Sequence, residues 1–215
     1  MKWLSEWKAV RWIPGVMFVV FAVTALHPGD VQAQSRWLQN VEFITPVKDE
    51  FVTRALLDTL FDVIQREPVA LRRTPEDGDT LSYYDLENAL SSTGLDFTSA
   101  SHLFIGYRLE ANQRRFQSHI THFFFIYRPE EVDAVDIPIF YLDAEQPAIR
   151  RILQYSGTPL PFNEAGLQPF REQLVFHKLP ESTIVRVSGR VIRDPAKAAA
   201  EMERLLTTIR RFMFN

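Results

Sequence analysis

The chain has 215 residues, 46% of them hydrophobic and 24% charged, a balance that excludes a disordered or low-complexity protein. It contains no cysteine, which excludes a disulfide framework, thiolate metal sites, a cysteine nucleophile and an acylated-cysteine anchor.

The first segment reads as a targeting signal. Lys2, Lys8 and Arg11 form a positive n-region, and residues 12–26 an apolar run broken only by Pro14, Gly15 and Thr24. Val31-Gln32-Ala33 supplies a small-residue cleavage pattern before Gln34. The run is shorter than the roughly 18 residues of a spanning helix, which favours cleavage after Ala33 over an uncleaved anchor. A signal peptide is therefore expected over residues 1–33 and an exported domain over residues 34–215. Removing 1–33 takes 3 of 24 basic and 2 of 27 acidic residues, leaving 21 and 25, a net of −4. A mildly acidic surface suits nucleic acid poorly, because a phosphate backbone needs cations.

Residues 39–44 read as a short leading strand with Val41 and Phe43 on one face. Thr45-Pro46 has the form of an N-cap followed by the first helical residue. Val52, Leu56, Leu60, Val63 and Ile64 then recur at helical spacing to about Glu67. A short strand is expected over residues 69–71 and an exposed turn over Pro75-Glu76-Asp77-Gly78-Asp79. Ser82 and Asp85 form a capping box that opens a helix with Leu86, Ala89 and Leu90 inward, stopped by Gly94.

Three runs rich in aromatic and β-branched residues follow, at 102–109, 118–128 and 137–142. Polar links separate them, so they predict three consecutive antiparallel strands. The middle run places Phe123, Phe124, Phe125, Ile126 and Tyr127 in succession. Successive side chains alternate faces, so both faces of this strand are apolar. That predicts a central strand covered on both sides, with Phe124 and Phe125 both buried.

Gln146-Pro147 opens a helix carrying Ile149, Ile152 and Leu153, closed by Gly157. Residues 158–170, with Pro159, Pro161, Gly166 and Pro169, read as an irregular loop. Residues 174–178 and 183–193 suggest a hairpin around Pro180-Glu181-Ser182, its second arm alternating Val185, Val187 and Val191 with polar residues. Asp194-Pro195 starts a final helix with an apolar stripe of Met202, Leu205, Leu206, Ile209, Phe212 and Met213. The fold class expected is α+β: a mainly antiparallel sheet packed with about four helices, a single domain after the signal peptide.

Residues that could carry chemistry are sparse. His119 and His122 stand three apart on a strand, which puts them on opposite faces unless a bulge intervenes. No carboxylate stands beside them in sequence to complete a metal site. The acidic groups at Glu76, Asp77 and Asp79, and at Glu130, Glu131, Asp133 and Asp136, lack the ligand spacing of a calcium loop. Arginine pairs begin at Arg72, Arg114, Arg150 and Arg210, but adjacent side chains diverge, so pairing alone makes no patch. There is no G-x-S-x-G elbow, glycine-rich phosphate loop or H-E-x-x-H motif. No residue is assigned a catalytic, cofactor-binding or metal-binding role.

The order strand, helix, strand, helix, then Ala-Ser-His-Leu-Phe-Ile-Gly-Tyr-Arg-Leu over residues 100–109 and two further strands, resembles the α/β module of exported envelope proteins. These are the amino-terminal domain of the Tol–Pal periplasmic propeller protein, the curli secretion channel and the lipoprotein activators of penicillin-binding proteins. The resemblance covers residues 41–142. The chain departs from that pattern in lacking a lipobox cysteine and propeller repeats, and in adding its terminal hairpin and helix. The resemblance implies a non-enzymatic scaffold or binding domain of the cell envelope and transfers no functional residue.

The expectation is thus an exported, periplasmic or otherwise extracytoplasmic domain that binds an envelope protein at a sheet face or edge. Its alternative is a carrier of an apolar, lipid-like ligand in a Phe-rich cavity, and the third reading is a small hydrolase. Arg204, Arg210 and Arg211 on the last helix are also compatible with peripheral membrane contact.

Overall fold

The computed structural model describes residues 37–112, 115–131, 134–160 and 163–214, so the expected signal peptide and its cleavage point lie outside the described residues. Within them the chain is α+β, with a seven-stranded antiparallel sheet as its frame. In chain order the strands are β1 (Trp37–Pro46), β2 (Leu71–Arg72), β3 (His102–Asn112), β4 (Arg115–Tyr127), β5 (Ile137–Asp143), β6 (Gly157–Leu160), β7 (Asn163–Pro169), β8 (Thr183–Val187) and β9 (Arg190–Val191). The helices are α1 (Val52–Arg66), α2 (Tyr83–Ser91), α3 (Pro147–Tyr155), the single turn α4 (Phe170–Gln173) and α5 (Pro195–Phe214). The main sheet runs β2-β5-β4-β3-β1-β8-β9, and β6 and β7 form a separate hairpin. No described helix is long and apolar enough to cross a membrane.

The three aromatic runs form the adjacent strands β3, β4 and β5, as expected from their composition. Alternation along the strands turns Val41, Phe43, Leu103, Ile105, Leu109, Phe123 and Phe125 to one face, where they form a single core with the helices. The described residues that the helices bury, among them Leu56 and Leu60 of α1, Leu86 of α2, Ile152 of α3, Phe170 of α4 and Leu205 of α5, belong to that same core. The expectation of a cover on both faces is therefore corrected for the described residues: their helices pack on one side only. Phe125 is fully buried and stacks on Phe140 with ring centroids 4.6 Å apart, whereas Phe124, on the opposite face, is only half-buried.

Other expectations shift for local reasons. Thr45-Pro46 does not open a helix: Thr45 pairs with Leu103 as the end of β1, and its hydroxyl donates to the Pro180 carbonyl. The helix begins only at Val52, after the turn at residues 47–51. The strand expected over 69–71 is the two-residue β2. The capping box of α2 forms as read, with Asp85 N–H on the Ser82 hydroxyl at 3.2 Å and Ser82 N–H on the Asp85 carboxylate at 3.3 Å. Gly157 opens β6 instead of closing a helix; a Cβ there would lie 1.7 Å from the Gln168 carbonyl oxygen across the hairpin. The stretch read as an irregular loop is that hairpin together with α4. Residues 174–178 form no strand, since Phe176 turns into the core against Phe43. The hairpin instead joins β8 to β9 through Ser188 and Gly189, whose φ angles of 46° and 81° match a two-residue turn with both central residues left-handed.

Helix α5 follows Asp194, whose carboxylate accepts the N–H groups of Ala196 and Lys197. Leu205 is fully buried, Met202, Leu206 and Ile209 pack against the core, and Phe212 meets Trp37. The apolar stripe of this helix is thus spent on the sheet.

Candidate functional site

On the helix-free face, two rows of side chains cross the sheet. One is apolar and mostly aromatic: Ile44, Phe104, Phe124 and Tyr141 are successive partners across β1, β3, β4 and β5, with the Phe104 and Phe124 rings stacked at 5.6 Å. The next row is polar. Arg186, Glu42, Gly106, His122 and Asp143 stand opposite one another across β8, β1, β3, β4 and β5. Glu42 is 6% exposed and reaches over Gly106 to His122, Oε1 to Nε2 at 2.9 Å. A carboxylate can only accept, so Nε2–H donates to Glu42, and in the neutral ring Nδ1 accepts from the Thr121 hydroxyl at 3.0 Å. Arg186 Nη1 lies 3.5 Å from the other carboxylate oxygen. Gly106 makes this bridge spatially feasible: a Cβ there would fall 2.1 Å from His122 Cε1 and 2.6 Å from Thr121 Oγ1.

The bridge sits beside a β-bulge. Gly106 pairs with His122 and Tyr107 with Ile120, leaving Thr121 as the extra residue of β4. At that residue β5 leaves the sheet. His122 pairs with Asp143, Ala144 N–H donates to the Thr121 carbonyl at 3.0 Å, and the chain turns through Gln146 into α3. Strand β4 has 13 residues and β5 only 7. Residues 115–120 consequently pair with β3 on one side and with no described strand on the other. In the seven-stranded sheet this is the longest one-sided stretch, about 20 Å at the usual rise per residue. The nominal edge strands β2 and β9 are two residues each.

Beside this open edge lies a cleft of about 640 Å³, walled by Ser118 and Ile120 of β4, Arg150 and Leu153 of α3, and Arg171 and Leu174 around α4. Its remaining charged or titratable walls are Arg108, Glu110, His119 and Glu145, of which Arg108 and Glu145 form a loose ion pair at 4.0 Å. Its floor is fixed from within the core, where Tyr107 donates to the Leu174 carbonyl at 3.1 Å; burial pushes that phenol's pKa far up, so the group remains a donor. The cleft therefore combines a strand template, an apolar wall and cationic side chains.

The bulge also revises the reading of the histidines. His119 pairs with Arg108 and His122 with Gly106, so both lie on the helix-free face. The described residues contain no group of three histidine, cysteine or acidic side chains able to hold a metal. Glu42, 80 positions away, is the carboxylate that sequence adjacency could not supply. The paired arginines diverge as expected: Arg151 binds Glu67 while Arg150 faces the cleft. Arg128 binds Asp136, which holds that carboxyl below the usual range. The open edge was missed because residues 110–117 read as a polar link, although Phe116, Ser118 and Ile120 alternate with exposed Arg115, Gln117 and His119. No protein-family model and no curated protein matches the chain.

Proposed function

We propose that this chain is an exported, non-enzymatic binding domain of the cell envelope that receives an extended segment of a protein partner along the open edge of β4. The observation that carries the reading is the six-residue stretch 115–120, paired with a described strand on one side only, whose Ser118, His119 and Ile120 line a cleft. An added strand satisfies unpaired backbone groups, and a flanking groove gives its side chains somewhere to go. The carrier reading is less well supported. A void sized for a lipid chain would leave the rings lining it accessible, whereas Phe123, Phe125 and Phe140 are at 0% exposure. The test is a photo-crosslinking residue placed at Gln117 on the edge or at Asp58, exposed on α1, in cells making the protein. Protein adducts through Gln117 and none through Asp58 are expected; adducts through Asp58 alone, or none, count against the reading.

A second reading, a small hydrolase, draws on one feature: Thr121, His122 and Glu42 are linked hydroxyl to imidazole to carboxylate beside a cleft of about 240 Å³. The same hydroxyl–imidazole contact occurs between the neighbours Ser101 and His102, at 3.1 Å, without a carboxylate, as expected of a local geometry. Ester hydrolysis that disappears in His122→Gln would establish this second reading.

A further inference from the structure

Resting on the edge-binding reading, we propose that the segment received by β4 is acidic, with Asp or Glu side chains on its groove-facing side. Arg150 on α3 and Arg171 at the start of α4 both line the cleft, both are exposed, and neither has an ion-pair partner among the described residues. With Arg108 they make three arginines against Glu110 and Glu145, so the cleft is locally cationic on a domain whose expected mature charge is negative. An arginine fork matches a carboxylate in two parallel hydrogen bonds, which makes these groups selective for such side chains rather than for bulk negative charge.

The geometry also says how the segment lies. A strand added to β4 alternates its side chains between the two faces of the sheet. One set then points into the cleft, where Ile120, Leu153 and Leu174 line the same space as the arginines. Small apolar and acidic residues at alternate positions fill that set best. The arginines come from two separate helical segments, so side chains spaced along a strand reach them more readily than one terminal carboxylate. A terminal carboxylate is more often captured by clustered backbone N–H groups.

The experiment is selection from a random peptide library on the purified protein. Enriched peptides are then made as C-terminal amides and titrated against the parent and against Arg150→Gln/Arg171→Gln. Both substitutions are on exposed side chains, so the variant is expected to fold. The proposal expects enrichment in Asp and Glu, new amide protection over residues 115–120 on binding, and a loss of about tenfold or more in the double variant. Added salt should weaken binding to the parent more than to the variant. Peptides that protect residues 115–120 without acidic enrichment, or that bind the double variant equally, overturn the acidic specificity and leave the edge reading standing. Binding that requires a free terminal carboxylate overturns the side-chain assignment. No enrichment, or protection elsewhere on the surface, overturns both.

Discussion

At the residue scale, Gly106 decides more than its size suggests. It stands between Glu42 and His122 and leaves the space in which their 2.9 Å bond forms. Gly106→Ala should displace the His122 ring and leave a nearly buried carboxylate with only the more distant Arg186. Losing a hydrogen bond to a nearly buried carboxylate in this way costs about 1.5–3 kcal/mol. Urea melts of the single variant and of a Glu42→Gln/His122→Ala background provide the check. In that background the cost of the alanine should fall by at least about 1 kcal/mol, as for residues sharing one network. An unchanged cost would mean that Gly106 serves β3 for some other reason. None of this was legible in the sequence. The glycine was visible, but the carboxylate and imidazole that need it lie 64 residues before it and 16 after. Only the register of β1, β3 and β4 brings them into one row.

At the element scale, β4 was legible in its location and misread in its surroundings. Five apolar residues in succession marked a strand inside a sheet, which it is. Their alternation does not say what lies over each face, and the helices lie over one. Phe125→Ala should therefore cost about 3–5 kcal/mol, as for a fully buried ring. Phe124→Ala, half-buried beside Phe104 and Tyr141, should cost about 1–2 kcal/mol because less area leaves water. Equal costs in denaturant melts would show that the second face is covered in solution. The bulge at Thr121 left no sequence signal, yet it sets where β5 departs. The two-residue turn at Ser188-Gly189 did leave one, a Ser-Gly pair between alternating valines. That pair falls inside the stretch 183–193, expected to be a single strand arm after Pro180.

At the scale of the whole molecule, the described residues form a sheet with one face dressed by helices, one face bare of them and an edge left open where a helix takes over from a strand. The bare face bears on pH dependence. Burial, reinforced by Arg128, holds His102 below its ordinary pKa of 6.5, with Asp136 opposing. The unfolded chain thus binds a proton there before the folded one does, and stability should decline as pH falls from about 6.5 toward the folded value. Asp136 is held below its ordinary 3.8 by Arg128, and its contribution, present above that value, is lost as pH falls through the lower folded value. Melts across pH 8 to 2 should show two separate declines, one setting in below about 6.5 and one below about 3.8, and His102→Gln should flatten the first. A first decline that survives the substitution assigns it to another group, such as His177, which burial also lowers.

The most direct test of the account is residue-resolved amide hydrogen exchange over β4 in the free protein. The topology predicts that, within residues 116–120, the amides directed away from β3 exchange fast while those bonded to β3 remain slow. Leu103, Ile105 and Leu109 of β3, flanked by strands on both sides, should be slow throughout. Uniform protection along residues 115–120, equal to that of β3, would mean that the edge is already occupied and would contradict the account.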